Sequence, residues 1–309
     1  MNLIETNNLI SCPRCHRLSP PTRHNCLYCG TEIIISNNSS KKHRKPEPWE
    51  KGYNLVILNY FQENYFSQKP HQSIDIDPED LQSLINQKAK APISRVLSRQ
   101  EAEELARALE AIGLICDIVP DVALEKMPKR LRRIDFQEEK TILTLFSGKV
   151  LEIDRNNLTL VVEGKVFRKR IHAVEERRKK RNQLKESSEF DEDELLADIY
   201  IDEHSTGYRI LPTGFDFSSL GSEKRNLAVE NFPILIEKLI KSSPKVHFIN
   251  NYPKIRKTLD KIWPVEEKHN RIRWRRKSFG SYEFENEILF SNLEQFNKYS
   301  NLQWYLTKR

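Results

Sequence analysis

Two Cys-x-x-Cys pairs near the N-terminus, in CPRCHRLSPPTRHNCLYCG, constrain this chain more than any other feature. Cys12 and Cys15 make the first pair and Cys26 and Cys29 the second, so four of the five cysteines lie in one short stretch. Each pair puts two thiolates on a tight turn, and two facing turns complete a tetrahedral four-sulfur site for one Zn2+ ion. Gly30 gives the second turn a residue free to adopt the left-handed conformation. All four ligand positions are filled by protein and none is left for water or substrate, so the expected zinc is structural and not catalytic. In so small a segment the metal is most of the fold, since structural zinc supplies on the order of 10 kcal/mol. His16 and His24 stand beside the cysteines, and either could replace a ligand; exposed or hydrogen-bonded rings are the plainer reading. Redox chemistry is a further use of such pairs, but two of them at this spacing favour metal. With Cys116 alone and distant, the cysteine usage points to a reducing compartment, and the chain is expected to be cytoplasmic.

Beyond residue 35 the pattern changes several times. Hydrophobic residues are 38% and charged residues 31% of the 309, a balance that suits several small modules better than one large core. SNNSSKKHRKPEP is polar, basic and proline-terminated, and 36–50 reads as a flexible linker. From 51 to 123 the order is β-α-β-α-β: GYNLVILNYF, a helix opened by Asp77 and Pro78, PISRVL, a second helix, and LICDIVPD. In the second helix Ser98 and Glu101 form a capping box, Ala102, Leu105, Ala106, Leu109 and Ile112 make the buried stripe, and Gly113 ends it. From 124 to 244 about seven short strands are expected, with turns at Ser147-Gly148, Asn156-Asn157, Glu163-Gly164 and Ser205-Thr206-Gly207. A helix with Leu227, Phe232, Leu235, Ile236 and Leu239 inward follows, kinked by Pro233 or restarting near Asn231. Residues 245–309 read as a C-terminal helical appendage with a helix over 252–263, a strand-like YEFENEILF and a last helix capped by Ser291 and Glu294. The fold class is therefore α+β and multidomain: zinc ribbon (1–35), linker, small α/β sandwich, β-barrel with a helix, appendage.

Three of these pieces resemble known folds. The cysteine module is similar to zinc ribbons. SRQEAEELARALEAIG running into LICDIV resembles the fold shared by the ribosomal stalk protein's C-terminal domain and the Clp-protease adaptor. The strands and helix of 124–244, with LFSGKVLEIDRNNLTLVVEG the most telling stretch, look like bacterial pleckstrin-homology-like (PH-like) domains. The whole chain, including GFDFSSLG, ENFPILIEKL and FSNLEQFNKYSNLQWYL, resembles bacterial zinc-ribbon proteins of the same layout. These resemblances imply architecture; the adaptor's peptide-recognition residues find no counterparts here.

The formal charge of +7 invites an anionic partner, and the excess is concentrated. KMPKRLRR (126–133) is one cluster, and FRKRIHAVEERRKKR (167–181) is another, with Arg177, Arg178, Lys179, Lys180 and Arg181 consecutive. In the third, Arg271, Arg273, Arg275 and Arg276 surround Trp274, which could stack on an unpaired base while the cations hold phosphates. Against this, the acidic ESSEFDEDELLAD (186–198) could fold over the second cluster and cancel its field, or form an unstructured loop. Asp191, Asp193 and Glu194 could hold a cation only if that loop were ordered. Cys116 is expected in the core, and His172 and His247 have no visible partner. No phosphate-loop, dinucleotide-binding, zinc-protease or serine-hydrolase motif occurs, and nine glycines are too few for elaborate phosphate cradles. No apolar run is long enough to span a membrane, no secretory signal is visible, and no apolar loop accompanies the basic clusters to favour anionic lipid. The expected function is a non-catalytic adaptor or scaffold with a protein partner; the alternative is a nucleic-acid-binding protein using the ribbon and the basic stretches.

Overall fold

A computed structural model describes residues 10–12, 14–19, 26, 28–31, 46–60, 74–178, 181–278 and 281–309. The chain divides into two compact units, Met1–His43 and Arg44–Arg309. In the first, β1 (Ile10–Ser11) and β2 (Leu18–Ser19) pair antiparallel and close the first cysteine turn between them.

The second unit opens with the expected β-α-β-α-β order: β3 (Tyr53–Tyr60), α1 (Pro78–Asn86), β4 (Ala91–Val96), α2 (Arg99–Glu110) and β5 (Leu114–Pro120). Its sheet has the order β4-β3-β5, with β3 antiparallel to both neighbours. The capping box of α2 is formed: Glu101 N donates to Ser98 Oγ at 3.2 Å, and Ser98 N to Glu101 Oε2 at 3.1 Å. Asp77 precedes α1 but makes no cap hydrogen bond; its carboxylate pairs with Lys261 instead. Of the expected linker, residues 46–50 are described and docked, since the Arg95 guanidinium donates to the carbonyls of Pro46, Glu47 and Glu50; residues 36–45 lie outside the described ones.

A second sheet is built from β6 (Lys129–Phe136), β7 (Lys140–Leu145), β8 (Val150–Asp154), β9 (Leu158–Arg178), β10 (Arg181–Ile201), β11 (Tyr208–Ile210), β12 (His247–Ile249), β13 (Glu266–Ser278) and β14 (Ser281–Ser291). It curls into a half-barrel in the order β13-β14-β9-β10-β11-β6-β7-β8, with β12 beside the start of β9. The helices α3 (Ala228–Ser242), α4 (Tyr252–Leu259) and α5 (Leu293–Thr307) complete the unit. Several local expectations change here. Glu163-Gly164 is no turn: LTLVVEG and KVFRKRIHAV are one strand, β9. Gly164 lies inside it because a Cβ there would come within 2.2 Å of the Phe296 ring. The acidic 186–198 block is no loop, and it forms most of β10. Pro233 neither ends nor restarts α3: it sits in the second turn, where its missing amide costs only a bond to the exposed end of the helix. Asn231 is buried, and its side chain clasps both backbone groups of Arg225 before the helix begins.

The stretch from 245 onward is not a purely helical appendage; it carries three strands, and its helices lie in the core. One apolar cluster joins Leu55, Ile93, Leu105 and Leu109 of the α/β sheet and its helices to Leu160 and Val162 of β9, Tyr252 and Leu259 of α4, and Phe296, Tyr299 and Leu302 of α5. A second joins Leu131, Leu143, Val161, Ala197 and Ile199 to Phe232, Leu235 and Leu239 of α3. The bases of β9 and β10 are thus covered on both faces, which explains their unbroken apolar reading in sequence. Helix α5 begins after Asn292, not at Ser291, and the Asn292 side chain accepts from Phe167 N at 2.8 Å. Polar residues of α5 are buried too, because they bond outward: Gln295 to Asp260 (2.7 Å), Asn301 to the carbonyls of Leu124 (3.0 Å) and Lys126 (2.7 Å), and Gln303 to Lys90 O (2.8 Å).

Candidate metal centre and charged β-blade

The two cysteine turns are copies of each other in backbone detail. Cys12 N donates to Arg17 O and Cys26 N to Thr31 O, both at 2.9 Å; His16 N donates to Cys12 O at 2.9 Å and Gly30 N to Cys26 O at 3.0 Å. Gly30 has φ 71°, as expected, and His16 takes the equivalent left-handed position at φ 55°. His16 is therefore a backbone element of its turn, and the candidate ligand set contains cysteines alone. His24 lies outside the described residues.

Cys12, Cys15, Cys26 and Cys29 present four sulfurs within 4.8 Å of one another, and none is in a disulfide. Cys12 Sγ is 3.5 Å from Cys29 Sγ, and Cys15 Sγ is 3.6 Å from Cys26 Sγ. A tetrahedron of thiolates about 2.3 Å from a central ion has edges of about 3.8 Å, so these residues fit a four-sulfur metal site. Tyr28 N points at Cys26 Sγ (3.4 Å), and the Thr31 hydroxyl lies 3.3 Å from Cys29 Sγ. The Thr31 hydroxyl and amide hold the Cys29 thiol below its ordinary value. At Cys15 the Arg17 amide pulls downward, but desolvation and the three neighbouring thiols outweigh it and push the group up to about 12. A divalent ion would resolve this sharing of protons by holding all four as thiolates. The fifth cysteine, Cys116, is half-buried against the core, and burial pushes its thiol up to about 12.

In the second unit the strands β13, β14, β9 and β10 run on past both cores as a four-stranded blade. Strands β9 and β10 have 21 residues each, about 70 Å if straight. Both candidate basic clusters fall on this blade. Arg177, Arg178 and Arg181 lie at the tip of the β9–β10 hairpin, beside Tyr282 and Ser281 of β14; their side chains, and all of Lys179 and Lys180, are outside the described residues. Arg271, Arg273, Trp274, Arg275 and Arg276 lie along β13, the outer strand. The cluster at 126–133 is apart from them, largely in β6.

Charge alternates across the blade: basic β13, acidic β14, basic β9, acidic β10. Lys165 pairs with Asp193 (2.9 Å), Arg168 with Glu194 (3.0 Å), Lys169 with Glu189 (2.8 Å) and Arg170 with Glu287 (3.1 Å). Arg275 grips Glu283 Oε1 through Nε (2.7 Å) and Nη2 (2.6 Å). The Lys165 ammonium holds the Asp193 carboxyl below the usual range, and Glu189 raises Lys169. The acidic block therefore pairs with Arg168 and Lys169 at the start of the basic stretch, as a neighbouring strand and not as a loop, while the register sets Arg181 and Asn182 opposite Arg178 and Arg177. It also leaves Asp193 and Glu194 engaged with cationic side chains.

Register and the two-residue period separate the blade's faces. One carries a groove of about 470 Å³ bounded by His172, Glu186, Arg273, Arg275, Glu283 and Glu285. His172 Nε2 is 2.8 Å from Glu285 Oε1, a partner the sequence did not reveal. The other face carries Trp274, Phe284, Ile288 and Ile171. Trp274 is 62% exposed, Ile272 beside it is exposed at a register shift, and Arg271 lies over the Phe284 ring at 5.4 Å. None of these residues belongs to either core cluster. The missed acids of β14 had a signal: Glu283, Glu285 and Glu287 recur at every second position of YEFENEILF, the period of a strand with one charged face.

No known protein family, curated protein or solved structure matches the chain. No helix among the described residues is long and apolar enough to cross a membrane.

Proposed function

We propose that the protein is a non-catalytic adaptor that binds another protein through the blade, with a zinc-held N-terminal module as a second contact. The observation that carries this reading is the aromatic face of the blade, where Trp274, Phe284, Ile288 and Ile171 are left outside both cores. An exposed tryptophan flanked by arginines is the composition of interface hot spots. The four-cysteine set supports zinc as the ion and a structural role for it, because cysteines fill every position of a tetrahedral site. The curled sheet with α3 packed on it supports the PH-like reading of 124–244, and the capped α2 on its three-stranded sheet supports the stalk- and adaptor-like reading of 51–123. A reducing, cytoplasmic setting is consistent with thiols free to bind metal.

The test is affinity purification of the full chain from a native lysate of its source, followed by mass spectrometry. Wild type should recover one protein partner, and Trp274→Glu combined with Ile288→Glu should lose it while keeping the wild-type circular dichroism. A blade variant that keeps every partner sinks the reading. For the metal, the purified chain should release one equivalent of zinc to a strong chelator and lose order in the first unit while the second keeps its thermal transition. Metal-free protein from a reducing, chelator-free preparation would overturn the assignment.

A second reading, nucleic-acid binding, draws on Arg271, Arg273 and Arg276 flanking Trp274 in one strand. The acids of β14 beside them lower the field a phosphate backbone would meet, so this reading stands second. It requires retention on mixed DNA and RNA at about 50 mM salt that falls steeply as salt rises.

A further inference from the structure

Away from the blade, the second unit holds a cavity of about 710 Å³ between the end of α1, the start of β4, strand β12 and the start of α4. Lys88, Lys90, Lys254 and His247 line it, and no carboxylate does. The three lysine side chains make no hydrogen bond or ion pair among the described residues, in contrast to Lys165, Lys169 and Lys261, which are matched to acids.

Two of these lysines occupy positions where local structure would favour something else. Lys88 follows α1 in the left-handed conformation, φ 49°, the position where glycine is the ordinary choice. Lys254 lies in the first turn of α4, at the positive end of the helix dipole. That turn has no acidic residue, and Asn251 gives it no side-chain cap. A cation at an uncapped helix start adds positive charge to positive charge. Helix α5 fixes the geometry from below: Gln303, itself buried, donates to Lys90 O at 2.8 Å, and the Tyr299 hydroxyl donates to Asn251 Oδ1. The cavity is thus braced, of one sign, and short of a counter-charge.

From this we infer that the cavity is a binding site for a small phosphate-bearing molecule, its phosphate oxygens held by Lys88, Lys90 and Lys254. Its volume lies within the range of about 300–1,000 Å³ usual for small-ligand sites. Three separate ammonium groups suit an ion of two or more charges, and lysine binds phosphate as a point charge. Phe248, 37% exposed on the rim, offers an aromatic surface to whatever the phosphate is attached to. The site shares no residue with the blade, so it stands or falls apart from the adaptor reading.

Calorimetric titration of the full chain tests it with three probes: inorganic pyrophosphate, adenosine triphosphate and a short single-stranded oligonucleotide. At least one of the two small phosphates should bind with a dissociation constant below about 1 mM. Reversing two cations in Lys88→Glu/Lys254→Glu should weaken it on the order of a hundredfold, from the loss of two charge-assisted contacts. Both lysines are exposed, so that variant should keep the wild-type melting temperature, and Lys254→Gln alone serves as the milder control. Two outcomes overturn the proposal: neither small phosphate binds, or one binds equally well to the reversed protein. Tighter binding of the oligonucleotide than of either small phosphate, lost on charge reversal, would also overturn it and make the cavity a nucleic-acid contact.

Discussion

Between Leu158 and Val166, β9 is mostly apolar and covered on both faces, with Leu160, Val161, Val162 and Val166 fully buried. Between Phe167 and Arg178 the same strand carries Arg168, Lys169, Arg170 and His172, and none of its residues belongs to either core cluster. Its partner β10 changes in step: Leu196, Ala197, Ile199 and Tyr200 are buried, whereas Glu186 to Glu192 are exposed. One hydrogen-bonded ladder runs through both halves, so backbone pairing does not distinguish them. Burial does. In the basal half an ion pair is a structural risk, and in the distal half it is surface chemistry. The distal half is held by register and cross-strand charge, and its aromatic side lies outside both cores.

The largest test of this contrast is the buried pair Asp198–Arg209. Arg209 Nε and Nη2 each lie 2.7 Å from a different Asp198 oxygen, and both residues are nearly inaccessible. Arg209→Met strands a buried carboxylate and should cost about 3–5 kcal/mol, read as a fall in the urea midpoint. Asp198→Leu/Arg209→Met removes both charges and should recover most of that loss, since an apolar pair of similar volume is often neutral. A single variant within about 1 kcal/mol of wild type would show that the base tolerates charge as surface pairs do.

How much of this was readable beforehand follows from the range of the interactions involved. The cysteine turns, the Ser98–Glu101 box and the β-α-β-α-β order depend on neighbours a few residues away, and all were legible. Gly164 was misread as a turn because the reason for it, the Phe296 ring, comes from a distant helix. Nothing in the sequence marks Gln295, Asn301 and Gln303 of α5 as buried, because their partners Asp260, Leu124, Lys126 and Lys90 come from distant segments. The basic and acidic blocks were each visible, but their register, and the place of the Glu283–Glu285–Glu287 strand between the two basic clusters, required the sheet. The lysine cavity had no sequence signature at all, since Lys88, Lys90 and Lys254 meet only through tertiary packing.

A smaller effect is expected from acid. Asp121 is 2% exposed and accepts from Gly52 N (2.7 Å), Asn54 Nδ2 (2.9 Å) and Arg95 Nη2 (2.6 Å). Burial alone would raise its carboxyl, but the Arg95 and Asn54 hydrogen bonds outweigh burial and hold it below the usual carboxylate range. The sign follows: the depressed group contributes stability above its unfolded value of about 3.9, and that contribution is lost as pH falls through the folded value. Stability measured from pH 7 to pH 2 should therefore drop more steeply in wild type than in Asp121→Asn, with the two curves converging at the acid end. Asp193 on the blade is also depressed, by Lys165 first, but its side chain is 40% exposed. Solvent screens that pair, so Asp193→Asn should leave the acid limb close to wild type. Equal flattening by the two variants would erase the distinction between a buried carboxylate and one on the blade.

The smallest effect belongs to the blade itself. Arg170 and Glu287 lie on neighbouring strands of one face, 3.1 Å apart, with the arginine 61% exposed. A double-mutant cycle with Arg170→Ala and Glu287→Ala should give a coupling below about 1 kcal/mol that shrinks further in about 1 M salt. The ladder beneath is unchanged by either substitution, so the blade should stay folded while its charge pattern is rewritten. A coupling of several kcal/mol that survives high salt would mean that the distal face is desolvated. The charged side of the blade, with the groove around His172 and Glu285, would then be a covered structural surface.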